Sequence, residues 1–403
     1  MRLDKKQPIL LINKLRISCL LLLLLFSLFF IAGCWNRIEV NNTLEAVGMV
    51  FDLENSEPSF SVQLASPTSP DQSGSSKPTK PVNVSQTGDT FTEAARRTML
   101  SLPRLPLWSH AGVLIIGKDL ANQDMSRAVD FLARNRNVRK TSLLFVSKEV
   151  TGKECLEAEI PMETYSMNGL KKLIRIQEQQ VGIYMPVNLD KFLEDLATPG
   201  IQPAVPQITI HEIEGKKVLR LDGTAVFKDR KVVGSLGEAE SKGYRFLSPK
   251  MITGGLIIVE SPLENSPNSK NLISIELTRS MATVKPIIEG NQFKKMKIQL
   301  EAEGNFYEQT FEGEVLKREQ LNKINELVNE KIKEDISASI KKAQSLDSDI
   351  FGWGRAIYRS NPTIWEQLEK DWPAIFPGVE ADITVNFEIR RAYLLDKSFE
   401  FKE

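Results

Sequence analysis

Gly112-Val113-Leu114-Ile115-Ile116-Gly117 is four apolar residues, three of them branched at Cβ, closed off by a glycine at each end. The run is too short for a helix and has no polar alternation, so it reads as a strand buried on both faces of a sheet. Working outward, Thr43 to Asp52 reads as an earlier strand, and Phe60, Val62 and Leu64 alternate with Ser61 and Gln63 in a half-buried one. Val82 and Val84 resume that alternation, so the Ser- and Pro-rich stretch Ser66 to Pro81 is a flexible loop joining two strands of one sheet. Thr90 to Leu100 reads as a helix, capped by Asp89 or Thr90 with Glu93 completing a capping box, and stopped by Pro103 and Pro106. Asp124 to Arg134 gives a second amphipathic helix and Thr141 to Val146 another strand. Strands and helices mixed in this way predict an α+β or α/β arrangement around one sheet.

Asn188 to Leu196 looks helical, and the three prolines Pro199, Pro203 and Pro206 that follow deny both helix and central strand, which predicts a domain boundary. Beyond it come strands at Gln207 to Ile213, Val218 to Leu221, Gly223 to Phe227 and Val232 to Leu236, the last two joined as a hairpin by Lys228-Asp229-Arg230-Lys231. A second break is expected at Ser261 to Lys270. Met296, Ile298, Leu300 and Ala302 then alternate with polar residues in an amphipathic strand. Leu316, Leu321, Ile324, Leu327, Val328, Ile332, Ile336 and Ile340 recur at steps that put one apolar stripe on a helix of about 30 residues. Asn361-Pro362 supplies an N-cap followed by proline, opening a helix that carries Trp365 and Trp372, and Ile383 to Ile389 alternates as a final strand. The fold class expected is α+β: mixed α/β domains on mainly antiparallel or mixed sheets, divided as 34–198, 199–265 and 266–403 after a leader at 1–33.

The leader has its own chemistry. Arg2, Lys5, Lys6, Lys14 and Arg16 stand against a single acid, Asp4, and from Ile17 to Ile31 only Ser18 and Ser27 are not apolar. This basic region with its short apolar run falls below the roughly 20 residues that a membrane-spanning helix needs. It ends in Ile31-Ala32-Gly33-Cys34, which resembles a bacterial lipobox: small residues before the cut, then the cysteine whose thiol takes a diacylglyceryl group. Two acyl chains at Cys34 make a stable anchor, whereas one gives only marginal, reversible binding. The whole chain holds 52 basic and 52 acidic residues, and loss of five basic residues and one acid with the leader leaves a slightly acidic mature protein. That balance excludes a nucleic-acid binder by composition and gives no polybasic attraction to anionic lipid. Of Cys19, Cys34 and Cys155, only Cys155 would remain as a free thiol, so no internal disulfide is available, and it reads as a small buried hydrophobe.

Motifs for catalysis are lacking. His110 and His211 stand far apart, outside any metal-ligand spacing, and there is no nucleophile elbow, P-loop or dinucleotide fingerprint. Asp347 with Asp349, and Glu238 with Glu240, read as solvated or capping acids rather than paired glycosidase carboxylates. Trp353, Trp365 and Trp372 read as core, the last two being seven residues apart on one helical face. An alternative function for a lipid-anchored chain is a solute-binding protein serving a transporter. The all-strand middle segment and the long Leu316 to Ile340 helix fit its two-lobed plan poorly.

Several segments, in order, resemble the Ger(x)C spore germination lipoproteins. They are Gly33-Cys34-Trp35-Asn36-Arg37-Ile38-Glu39, Gly48 to Asp52, Ser109 to Gly117, Asp222 to Leu236 with Glu240, Asp349-Ile350-Phe351-Gly352-Trp353-Gly354, Pro362, Trp365, Trp372 and Ile389-Arg390-Arg391. Asn36 replaces the family's usual acid, and Val50 its second glycine. The resemblance implies a non-catalytic subunit, the C subunit of a nutrient germinant receptor, lipid-anchored through Cys34 to the outer face of the spore inner membrane. It implies as partners a larger membrane-spanning A subunit and a permease-like B subunit thought to bind the nutrient. No cofactor, metal, nucleic acid or small-molecule ligand of the chain's own is implied.

Overall fold

A computed structural model describes residues 15–23, 26, 39, 42–65, 80–261, 271–311 and 318–392. Residues Met1–Thr43 form one unit and Leu44–Glu403 another. In the first, residues 15–23 are helical and their apolar side chains are exposed. Among the described residues, no helix is long and apolar enough to cross a membrane.

The second unit is built on two sheets. The larger runs β3(Val82–Thr87), β2(Glu57–Ala65), β1(Thr43–Glu54), β5(Val113–Ile116), β6(Leu143–Ser147), β7(Ala204–Ile213), β8(Lys216–Lys228), β9(Lys231–Leu236), with β4(Leu105–Leu107) beside β1. Its centre, β1-β5-β6-β7, is parallel, and both flanks are antiparallel. All four residues of β5 are fully buried, as its unbroken apolar run requires: Leu114 and Ile116 enter the core on one face, Val113 and Ile115 that on the other. The first face is covered by α1(Phe91–Arg97), α2(Lys118–Ala121), α3(Ser126–Arg134) and, after two further helices, by Leu189 and Phe192. Those two further helices, α4(Gly152–Glu157) and α5(Ser166–Gln180), cover the opposite face, and α6(Leu189–Ala197) carries Leu189 and Phe192.

The smaller sheet runs β10(Leu256–Glu260), β11(Leu272–Glu289), β12(Gln292–Gln309), β13(Ala381–Ala392). β12 and β13 are parallel, so the chain between them must cross over, and it does so through four helices: α8(Arg318–Ser345), α9(Trp353–Ser360), α10(Pro362–Leu368) and α11(Trp372–Ile375), with α7(Glu238–Phe246) packed on α8. Within the described part of the long stripe, Ile324, Val328, Ile332, Ile336 and Ile340 are buried at steps of four, the spacing of one helical face. Gly243 of α7 lies against this helix so closely that a Cβ there would stand 1.9 Å from the Asp335 carbonyl oxygen.

The helix caps follow their sequence signals. Thr90 accepts from the Glu93 N–H at 3.1 Å, while the Glu93 carboxylate reaches the Asp89 N–H at 2.9 Å. Asn361 accepts from Ile364 N–H at 3.2 Å with Pro362 in the first turn.

Two expectations need correction, on Val218 to Phe227 and on the helix of Trp365 and Trp372, and the sheets run across the expected divisions. The sheets do not follow the divisions at 198/199 and 265/266, because β7 to β9 extend the first sheet and β10 pairs with β11 across the second break. Pro206 is tolerated inside β7 where the register shifts, beside an irregularity in the ladder, so the prolines mark an irregular strand entry rather than the end of a sheet. Val218 to Phe227 is one strand, Gly223 taking φ +96 within it. Trp365 and Trp372 lie on two helices, since the chain turns at 369–371 and Trp372-Pro373 opens a new one. They still meet in the core, ring centroids 5.6 Å apart, and Trp353, Trp365 and Trp372 are all buried. Two helices, α5 and α7, lie where none was expected, although Met167, Leu170 and Ile174 of α5 recur at helical spacing and are all buried.

Candidate functional site

Cys34, the expected lipid-attachment residue, lies outside the described residues, as do most of the loop Ser66 to Pro81 and Leu316 at the start of the long stripe. What the described residues show instead, at separate places, is two buried acids held by backbone donors, a buried arginine and a cavity.

At the carboxyl ends of β1, β5 and β6, where open parallel sheets hold their ligands, the chain has placed its own carboxylate. Asp52, only 6% exposed, accepts from the N–H groups of Leu53 at 2.9 Å, Leu120 at 3.3 Å and Gly152 at 2.8 Å. The last two donors belong to the first turns of α2 and α4, whose free N–H groups favour an anion. Burial raises the pKa of Asp52 and these three backbone donors oppose the rise. Gly117, at the end of β5, makes room: a Cβ there would stand 1.8 Å from the Asp52 carboxyl carbon. Gly152 is equally hemmed in by Val50, 2.2 Å from where its Cβ would be, so Val50 in this chain fills the space beside α4.

The second acid explains Asp349-Ile350-Phe351-Gly352-Trp353-Gly354. Asp349 Oδ1 accepts from the Trp353 N–H at 3.0 Å, and Oδ2 from the Gly354 N–H at 2.9 Å and from the Trp372 indole N–H at 3.0 Å. It thus caps α9 and pins α11 to it. Burial pushes its pKa up to about 6, against those hydrogen bonds. Its backbone carbonyl accepts from Gln202 N–H at 2.8 Å, Gly200 accepts from Arg355 N–H at 2.9 Å, and the Ser348 hydroxyl donates to the Phe227 carbonyl. Gly352 takes φ +69, and a Cβ on Gly354 would meet the Trp365 ring at 2.5 Å and Gly200 Cα at 2.7 Å. The motif is therefore a clasp between the 199–227 segment and the C-terminal helices.

Arg245 of α7 makes a second tie. Its buried guanidinium donates to the carbonyls of Glu178 at 3.0 Å, Thr253 at 2.9 Å, Gly254 at 3.1 Å and Gly182 at 3.4 Å. Glu178 and Gly182 flank the C-terminal end of α5, where free carbonyls favour a cation. Arg245→Met leaves these acceptors buried without their donor and is expected to cost about 3 kcal/mol. Chemical denaturation checks it, and a change under about 1 kcal/mol, the size of an ordinary surface effect, contradicts the role.

Between these ties lies a cavity of about 470 Å³. At one end Lys191 pairs with Asp195, and Arg355 Nη1 lies 3.3 Å from Glu194 and 3.9 Å from Asp195. Tyr244 completes that end, its pKa raised by burial and then by Asp195.

The other candidates are placed plainly. Cys155 is fully buried on α4, its thiol pushed up to about 12 by burial, so it packs as an apolar residue. His110 is exposed, 3.5 Å from Glu45, and His211 is exposed on β7. Glu240 caps α7 through the Gly237 N–H at 2.6 Å, and Asp347 pairs with Lys228 at 3.4 Å. Among the described residues, no group of three His, Cys, Asp or Glu is placed to hold a metal.

Comparison with known proteins gives the class. The family model "Spore germination protein N-terminal domain" matches residues 36–210, and "Spore germination B3/GerAC like, C-terminal" matches 222–393, so the chain is a spore germination protein. It belongs to the Ger(x)C family. In Bacillus subtilis (strain 168), the putative spore germination protein YfkR is 26% identical over 94% of this chain and 98% of its own length. Spore germination protein KC of the same organism is 23% identical over 94% and 96%. The crystal structure of the GerBC protein matches with a TM-score of 0.55 at 16% identity, over 85% of this chain and 96% of that one, and so shares the fold.

Proposed function

We propose that the chain is the non-catalytic C subunit of a spore nutrient germinant receptor, held by a diacylglyceryl thioether at Cys34 on the outer face of the spore inner membrane. Its partners there are the membrane-spanning A subunit and the permease-like B subunit, and its role is to couple nutrient sensing to germination. The observation that carries this reading is the pair of family matches, which together span most of the chain and begin at residue 36, two positions after Cys34. A family match that starts just after the expected lipidation site suits a protein tethered beside its partners, because confinement to one membrane raises the effective concentration without any new contact.

The test is dipicolinate release from spores lacking this gene, with nutrient mixtures and a non-nutrient trigger side by side. Loss of some nutrient responses with the non-nutrient response intact is expected. Normal nutrient responses in a strain stripped of other receptors overturn the reading. Cys34→Ala is expected to leave the protein unprocessed or released and to depress the same responses, and an undiminished response removes the anchor from the account.

A further inference from the structure

The 470 Å³ cavity lies within the range of about 300–1,000 Å³ typical of small-molecule sites. Its walls are mostly apolar, with Ile201, Leu247, Ala282, Val284, Ile350 and Phe351 among them. Its charge is one-sided. Lys191, Lys285, Arg355 and Arg359 line it against a single acid, Asp195. That acid is already engaged by Lys191 and Arg355, so no free carboxylate is left for a bound ammonium group. Lys285 and Arg359, both exposed at the rim, take part in no ion pair among the described residues. Tyr244 also lines the cavity. An uncompensated cationic rim and an apolar wall are the complement of an anion with an apolar body.

We propose that this cavity binds a small organic anion, a monocarboxylate with a compact apolar body, its carboxylate held by Arg355, Arg359, Lys285 and the Tyr244 hydroxyl. Lys191 and Asp195 fall in the N-terminal family match, and Tyr244 and Arg355 in the C-terminal one. The cavity is therefore lined by both parts of the chain, and a ligand held in it stabilises the folded chain by mass action. This goes beyond the receptor reading and does not rest on it: binding is measured on the purified chain, whereas the receptor role is measured in spores.

The experiment is calorimetric titration of the full chain, purified in detergent, with 3-methylbutanoate, 4-methylpentanoate and phenylacetate. 4-Methylpentanamide and 3-methylbutylamine serve as neutral and cationic counterparts. Saturable binding of at least one carboxylate is expected, at least about tenfold tighter than the amide, because the charge-assisted bonds are lost with the charge. Lys285→Gln with Arg359→Gln changes only exposed side chains, leaves the melting midpoint in place, and is expected to weaken binding by about threefold to tenfold, as loss of partly screened charges does. Val284→Trp, which fills the cavity from β11, is expected to abolish binding. No saturation by any carboxylate at about 10 mM, beyond the millimolar range of a weak site, overturns the proposal. Equal binding of the amide, tighter binding of the amine, or unchanged affinity in Val284→Trp overturns it too.

Discussion

Asp349→Ala is expected to lower the unfolding free energy by about 4 kcal/mol at neutral pH, since it orphans three buried donors at about 1–3 kcal/mol each while relieving the cost of one buried charge. The donors are the N–H groups of Trp353 and Gly354 and the indole N–H of Trp372. Removing their acceptor uncaps α9 and frees α11, and both helices lie in the core of the smaller sheet. Asp349→Asn is expected to cost about half as much, because one oxygen is kept while the new amide N–H₂ faces at least one donor. Urea denaturation of the three proteins orders them. An Asn variant less stable than the Ala variant contradicts the geometry.

The same acid carries a pH signature. In the folded chain Asp349 keeps its proton up to about pH 6, whereas its ordinary value is 3.8. Between those values the folded state binds more protons than the unfolded one, so this group's contribution to stability falls as pH rises through the window, by about 3 kcal/mol in total. Asp52, Asp195 and Asp335 are shifted in the same direction, each by burial first. Wild type is therefore expected to exceed Asp349→Asn in stability by more at pH 5 than at pH 7.5. A gap that widens toward pH 7.5 contradicts the assignment.

How much of this was legible in the sequence varies with the kind of signal. Val113 to Ile116 announced a strand buried on both faces because burial leaves no polar position, and Ile324 to Ile340 announced a helix because one face repeats every turn. Periodicity names an element, though not its neighbours. The prolines at 199, 203 and 206 look the same whether they end a domain or introduce β7, and the partner that decides between the two, β6, ends more than fifty residues earlier. Acids and bases were hardest. Asp349 was read with Asp347 as solvated or capping, and the cap is there, but burial under Trp372 follows from a residue 23 positions away. Arg245 follows Lys242, Gly243 and Tyr244 in no spacing that marks a buried charge, and only the folded chain sets it against four carbonyls. The cavity draws Lys191 and Arg355 from positions 164 residues apart, so no local spacing records it.

Gly117→Ala is expected to destabilise the chain by more than about 4 kcal/mol, at the upper end of single-residue effects, and the reason is specific enough to be reversed in part. The new Cβ would stand 1.8 Å from the Asp52 carboxyl carbon and about as close to both oxygens. Asp52 cannot step aside without leaving the N–H groups of Leu120 and Gly152 buried and unpaired. Asp52→Ala alone is expected to cost about 3 kcal/mol, from those donors and the space left behind. The double variant removes the clash along with the carboxylate, so the two costs should fall short of their sum by about 2 kcal/mol or more, a coupling expected only of residues in contact. Additive costs in such a cycle would mean that Gly117 is needed for something other than room for Asp52. Strong coupling would mean that at the carboxyl edge of the parallel strands, where open α/β sheets receive a ligand, this chain has placed its own carboxylate against Gly117.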